Sequence, residues 1–245
     1  MAAIVKSKVI VLRKIEYGDS SNIISVFSEK QGKMSVIIKG ARSGKNKKTS
    51  SSDVMNLIEL VTYQKENREV QYASQVDLIS GFQKIKSNLE LYKYAAAALE
   101  LIYFLIMENE THEKLFRGIV RLLELIDSGK NNPKLLFAKY FLLLIEEIGY
   151  KINFSECASC MKDIINENKI SFDYELGFLC KNCSDERMEN NYFEKELFNL
   201  ILCLSTKKSE YQYTDKLLDT VIIFFENYIK YHVPEFKGLQ TLKIF

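Results

Sequence analysis

Cys157-Ala-Ser-Cys160 and Cys180-Lys-Asn-Cys183 place two C-x-x-C knuckles nineteen residues apart. This is the spacing of a four-thiolate zinc site, in which two short loops each offer a pair of sulfurs to one ion. Four thiolates complete the tetrahedral shell of Zn²⁺ and leave no position for a catalytic water, so the expected role is structural. Binding of that kind can be worth on the order of 10 kcal/mol of folding free energy. The same residues also admit two disulfides, or thiols that are inert or redox-active. The chain runs from Met1-Ala-Ala-Ile-Val-Lys6 straight into a strand, without the charged start and apolar core of a secretion signal. A reducing cytosol is therefore the expected setting, and there paired C-x-x-C motifs serve as metal ligands more often than as bridges. Cys203, inside Leu200-Ile-Leu-Cys-Leu204, reads as a small core hydrophobe.

A second constellation is cationic. Lys39-Gly-Ala-Arg42-Ser-Gly-Lys45-Asn-Lys47-Lys48 holds five positive side chains and no acid. Glycine and serine would leave this loop adaptable and able to approach another backbone closely. Neutralising about five phosphates would give a log–log salt slope near −3.5 on single strands. Lys33 and Arg68, in two neighbouring turns, would extend the stripe. Tyr17, Tyr63 and Tyr72 are candidate stacking platforms, and Trp is absent. Phosphate charge is expected to outweigh base stacking here. Such a protein leaves base edges free and can hold two strands while they pair, which makes strand annealing a sensible activity. A solvated lysine-rich loop that binds nothing is the competing reading.

Enzymatic chemistry finds no support. His112 and His232 are the only histidines, 120 residues apart, and read as surface or helix-end residues. Neither lies in H-E-x-x-H. Gly40-Ala-Arg-Ser-Gly44-Lys45 has the wrong glycine spacing for a phosphate loop, and G-x-S-x-G is absent. Tyr94–Met107, the most apolar stretch, contains Glu100 and falls short of a membrane span.

These groups need a scaffold, and the pattern along the chain suggests one. Nearly half of the 245 residues are hydrophobic (47%), which indicates a globular chain. The net charge of +2 conceals a basic N-terminal segment: residues 1–48 hold eleven Lys/Arg against three Asp/Glu. The first eighty residues read as five strands: Lys6–Ile15, Asn22–Ser28, Met34–Lys39, Leu57–Gln64 and Glu69–Asp77. Val9-Ile-Val-Leu12 is apolar on both faces and should be covered on both sides. Phe27 shares a face with Ile23 and is assigned to the core. Five short strands suit a small closed barrel, of OB or SH3-like type. Helices are expected over Leu89–Met107, His112–Asp127, Pro133–Ile148, Phe193–Leu204 and Asp215–His232. The cysteine segment, Phe154–Cys183, interrupts them. The expected architecture is therefore α+β and multidomain, with a barrel over residues 1–80, helices over 81–153, a four-cysteine module over 154–184, and further helices over 185–245.

Three stretches carry a resemblance. Leu12-Arg-Lys-Ile-Glu-Tyr17-Gly18-Asp19-Ser20, Phe27-Ser-Glu-Lys-Gln-Gly32-Lys33 and Lys39-Gly40-Ala41-Arg42 resemble the N-terminal signature of RecO, a bacterial recombination-mediator family. Gly177-Phe-Leu-Cys180 and the Tyr228-Ile-Lys-Tyr-His232 helix end are similar as well, and the likeness spans the whole chain. Ser52-Asp-Val-Met-Asn56 departs from it, standing where the family often has a proline–aromatic pair. The resemblance implies a non-enzymatic, cytoplasmic, nucleoid-associated protein. Its OB-fold would bind single- and double-stranded DNA and anneal complementary strands. It would work with RecR and with the C-terminal tail of single-stranded-DNA-binding protein to help load RecA in RecF-pathway repair. Its zinc module would be structural. Lys33, Lys39, Arg42, Lys45, Lys47, Lys48 and Arg68 become candidate DNA contacts, and Cys157, Cys160, Cys180 and Cys183 candidate zinc ligands. An RNA-binding barrel and a pure interaction scaffold are the alternatives.

Overall fold

A computed structural model describes residues 3–42, 51–65, 68–186, 192–206 and 212–244. The first five strands are β1 (Ala3–Tyr17), β2 (Ser21–Ser28), β3 (Gly32–Ile38), β4 (Leu57–Gln64) and β5 (Val70–Ser80). They close into a barrel in the order β1-β2-β3-β5-β4. β1 is long enough to serve two neighbours, pairing β4 through Ala3–Ile10 and β2 through Val9–Tyr17. The β3–β5 pairing is parallel and the others are antiparallel. Closure removes free sheet edges, the usual hazard of a small β module.

β1 turns the corner at an irregularity between Val11 and Arg13. There the ladder is completed by the segment before β4: the Val11 amide donates to the Asn56 carbonyl (3.0 Å), and the Met55 amide donates to the Val11 carbonyl (2.8 Å). Ser52–Asn56, the stretch that departs from the family pattern, is thus fastened to the bend of β1. Lys14 adds an ion pair to Asp53 at 2.6 Å.

Val9, Val11, Ile24, Val26, Met34, Val36, Ile38, Ile58, Leu60 and Val76 fill the barrel. Ile10, Leu12 and Phe27 are also buried, on the opposite face of their strands. The apolar run in β1 is therefore covered on both sides, as expected. Phe27 is in the core, although outside the barrel, where its ring lies 6.0 Å from Phe116.

The described helices are α1 (Gln83–Ser87), α2 (Leu89–Leu105), α3 (Glu113–Ser128), α4 (Pro133–Glu147), α5 (Lys181–Glu186), α6 (Lys195–Ser205), α7 (Asp215–His232) and α8 (Thr241–Ile244). None is long and apolar enough to cross a membrane. Asn88 caps α2 by accepting from the Leu91 amide. α3 buries Leu115, Ile119, Leu122, Leu123 and Ile126 on one stripe and ends at Gly129, whose φ of 71° closes the helix. Glu100 of α2 accepts the amides of Gln240 (2.7 Å) and Thr241 (2.9 Å), so the C-terminal segment returns to α2.

Two compact units result: residues 1–140 with 239–245, and residues 141–238. The second unit holds a three-stranded sheet in the order β7-β6-β8, built from β6 (Ile170–Asp173), β7 (Gly177–Cys180) and β8 (Tyr192–Phe193). These strands were not expected from the sequence. They are too short to show an alternating pattern.

Candidate metal centre and basic barrel edge

The four cysteines converge. Their Sγ atoms all lie within 4.8 Å of one another. Cys157 and Cys160 sit in a tight loop: the Cys157 amide donates to the Lys162 carbonyl (2.8 Å), and the Met161 amide donates to the Cys157 carbonyl (2.9 Å). Met161 closes that loop at φ 61°, an uncommon conformation for a side chain with a Cβ. Cys180 ends β7 and Cys183 follows in α5, so a strand end and a helix start supply the second pair. The Ala158 amide donates to the Phe178 carbonyl (2.8 Å), stitching the first knuckle to β7.

The donor set fits a metal ion. Tetrahedral coordination at about 2.3 Å places sulfurs about 3.8 Å apart, and the Cys160–Cys180 separation is 3.7 Å. Cys157, Cys180 and Cys183 are buried while Cys160 faces outward. Burial alone would raise the Cys157 thiol. Backbone donors at Cys160, Cys180 and Ser159 outweigh it and hold that thiol at about 6, ready as a thiolate. Its hydrogen bond with Cys160, chiefly, pushes Cys183 up to about 12. A bound cation would draw off the remaining protons. Cys203, on α6, lies outside this group and is half-buried.

Beneath the cysteines lies an aromatic core. Phe178 is 1% exposed, and its ring meets Phe172 (4.7 Å), Phe198 (5.0 Å), Phe193 (5.1 Å) and Phe154 (5.7 Å). Phe172 continues to Phe224 at 4.9 Å.

The cationic candidates divide into three groups. Lys39 and Arg68 come together: the Lys39 ammonium lies 4.8 Å and the Arg68 guanidinium 5.0 Å from the centre of the Tyr72 ring. Both cations are exposed. The parallel pairing sets Ile37 beside Tyr72, so Lys39, just past the end of β3, meets the ring from the neighbouring strand, while Arg68 reaches it from the segment that leads into β5.

Arg42 and Lys33 are committed to structure. The Arg42 guanidinium donates to Glu16 and to the Gly18 carbonyl, and its amide donates to the Ser20 carbonyl (2.9 Å). It thereby braces the β1–β2 turn. Lys33 donates to the Tyr103 carbonyl at the end of α2 (2.7 Å), where a cation meets the negative pole of the helix. Burial lowers the Lys33 pKa, opposed by Glu108. Lys45, Lys47 and Lys48 lie outside the described residues.

Of the candidate stacking rings, Tyr17 is 56% and Tyr63 44% exposed, whereas Tyr72 is half-buried under its two cations. Tyr72 as their shared seat was missed, because only the non-local β3–β5 pairing reveals it. Both histidines lie at helix ends. His112 caps α3, with its Nε2 3.3 Å from Glu110. His232 ends α7 stacked on Tyr150 at 4.8 Å.

The molecule is thus a closed β-barrel and a helical body carrying a closed thiolate cluster and a basic barrel edge. Residues 1–82 match the family model described as recombination protein O N terminal, and residues 86–238 match recombination protein O C terminal. The chain therefore belongs to the RecO family of DNA repair proteins. It is 26% identical to a DNA repair protein RecO of Chloroherpeton thalassium, covering 98% of this chain and 97% of that one. A second relative of that name, from Clostridium novyi, is 26% identical over 74% of this chain and 70% of its own. One from Prosthecochloris aestuarii is 29% identical over 63% and 58% respectively.

Proposed function

We propose that this chain is a DNA-binding recombination mediator of the RecF pathway. It binds single- and double-stranded DNA, anneals complementary strands and, with RecR, helps load RecA onto strands coated by single-stranded-DNA-binding protein, whose C-terminal tail it engages. It acts in the cytoplasm at the nucleoid, without catalysis of its own. Its barrel, residues 1–80, is an OB-fold, whose ligands use the β1–β2 and β4–β5 turns. Arg42 braces the first of these turns and Arg68 stands in the second. Zn²⁺ is the ion for Cys157, Cys160, Cys180 and Cys183, because four thiolates at tetrahedral spacing suit it best. Residues 81–153 and 185–245 form the helical domain, in two parts that precede and follow that module, 154–184, in the chain.

One observation carries the reading: Lys39 and Arg68, from separate turns, meet over Tyr72 with their charges exposed. Two cations held on one ring offer a phosphate backbone a preformed contact, and Lys45, Lys47 and Lys48 follow in the same cationic segment. Arg42 contributes chiefly by holding the β1–β2 turn in place, and Lys33 by tying β3 to the end of α2. The test is annealing of two complementary oligonucleotides by the full-length protein, bare and coated with single-stranded-DNA-binding protein. Reversing Lys39→Glu and Arg68→Glu together is expected to weaken single-strand binding by about tenfold or more at about 50 mM salt, and annealing with it. An unchanged rate of annealing contradicts the proposal.

A further inference from the structure

Strand register places a row of large side chains on the outside of the barrel. Tyr63 on β4 is the cross-strand partner of Tyr72 on β5, so both rings leave the sheet on one face. Ile4 on β1 pairs with Tyr63, and Ile37 on β3 pairs with Tyr72. Val36 and Ile38, which flank Ile37, fill the interior, as does Leu60, three residues before Tyr63 on the alternate face of β4, which fixes the row as exterior. Exposure along it is uneven. Ile37 is 8% exposed, whereas Tyr63 is 44% and Ile4 66% exposed.

The two tyrosines differ in what covers them. Tyr72 carries Lys39 and Arg68. Among the described residues, no cation lies over Tyr63. The pair therefore sets an uncovered, flat, amphipathic ring next to two fixed positive charges. An unpaired nucleotide has the matching layout, a planar base joined to a phosphate. A duplex does not, because its bases are already stacked on one another.

We infer that Tyr63 is the stacking subsite for one unpaired base of a single strand whose neighbouring phosphates lie against Lys39 and Arg68. This subsite rests on the DNA-binding reading above and adds strand discrimination to it. The phosphate contacts serve single strands and duplexes alike, while the ring serves only a base that is still unpaired. When two strands anneal, the base leaves Tyr63 for its place in the duplex, and the product loses that contact while retaining the charges. Base stacking of this kind is worth about 1–3 kcal/mol per base.

The absence of tryptophan allows a direct measurement. A full-length Tyr63→Trp variant carries one indole, placed in the subsite, and its emission reports stacking. Binding is followed separately by anisotropy of end-labelled oligonucleotides: a thymine single strand and a duplex of equal length. The expected result is quenching of the indole by the single strand and not by the bound duplex. Tyr63→Leu should weaken single-strand binding about tenfold with duplex binding unchanged, and Tyr63→Phe should restore it. Single strands that bind by anisotropy without altering the indole emission overturn the subsite and leave the DNA-binding reading standing. Equal loss for both DNAs in Tyr63→Leu likewise overturns it. Failure of the unaltered protein to bind either DNA overturns the broader reading, and the subsite with it.

Discussion

The barrel and the cysteine module reach order by different routes. Each barrel strand is seven to fifteen residues long and hydrogen-bonded on both sides, around an interior of aliphatic, mostly β-branched residues. It needs no ion. The strands of the module are four, four and two residues long. So short a sheet buries little by itself and depends on what lies on either side: a thiolate cluster and a packed group of phenylalanines. Closure by hydrogen bonds spreads stability over many residues, whereas closure by the proposed ion would concentrate it on four.

The largest expected effect follows from that contrast. Chelating the proposed metal, or replacing Cys157→Ser and Cys183→Ser, should remove a binding term on the order of 10 kcal/mol. Hydrogen exchange should then accelerate at β6, β7 and α5 while the amides of β1–β5 stay protected. Equal acceleration across both would show that the barrel also depends on the ion. Next in size is Phe178→Ala, which removes a ring in contact with four others and should cost about 3–5 kcal/mol in urea unfolding. Less than about 1 kcal/mol would mean that the ion alone orders the module. Gly32→Ala tests the barrel at a single point. Gly32 has φ 68°, and a Cβ there would stand 1.9 Å from the Glu110 carbonyl oxygen. A loss of about 2 kcal/mol is expected. The smallest effect on folding belongs to Tyr63, where substitution should change DNA discrimination and leave the melting temperature unmoved.

The two regions also differed in how far the residues alone revealed them. Val9–Leu12 announced a doubly covered strand, and the strand limits Leu57 and Gln64 coincide with the structure, because long strands carry repeated side-chain patterns. The helix Asp215–His232 was equally plain, with Pro234 beyond its end, and the structure adds Thr214 as its cap. The C-x-x-C spacing foretold the sulfur cluster, since two knuckles of that kind need only approach each other. The β6–β8 sheet was invisible because four residues offer no period to read. The aromatic core escaped notice because Phe154, Phe172, Phe178, Phe198 and Phe224 are scattered over seventy residues. Within the cationic stripe, charge count could not tell Lys39 and Arg68, which stand exposed over Tyr72, from Arg42 and Lys33, which are spent on a turn and a helix end. That division depends on long-range register.

The central claim is that Lys39 and Arg68 meet DNA phosphates at the edge of the barrel. Salt dependence of single-strand affinity tests it most directly, comparing the full-length protein with a Lys39→Gln, Arg68→Gln variant. Two lost phosphate contacts should make the log–log slope shallower by about 1.4. Parallel lines of equal slope would contradict the account.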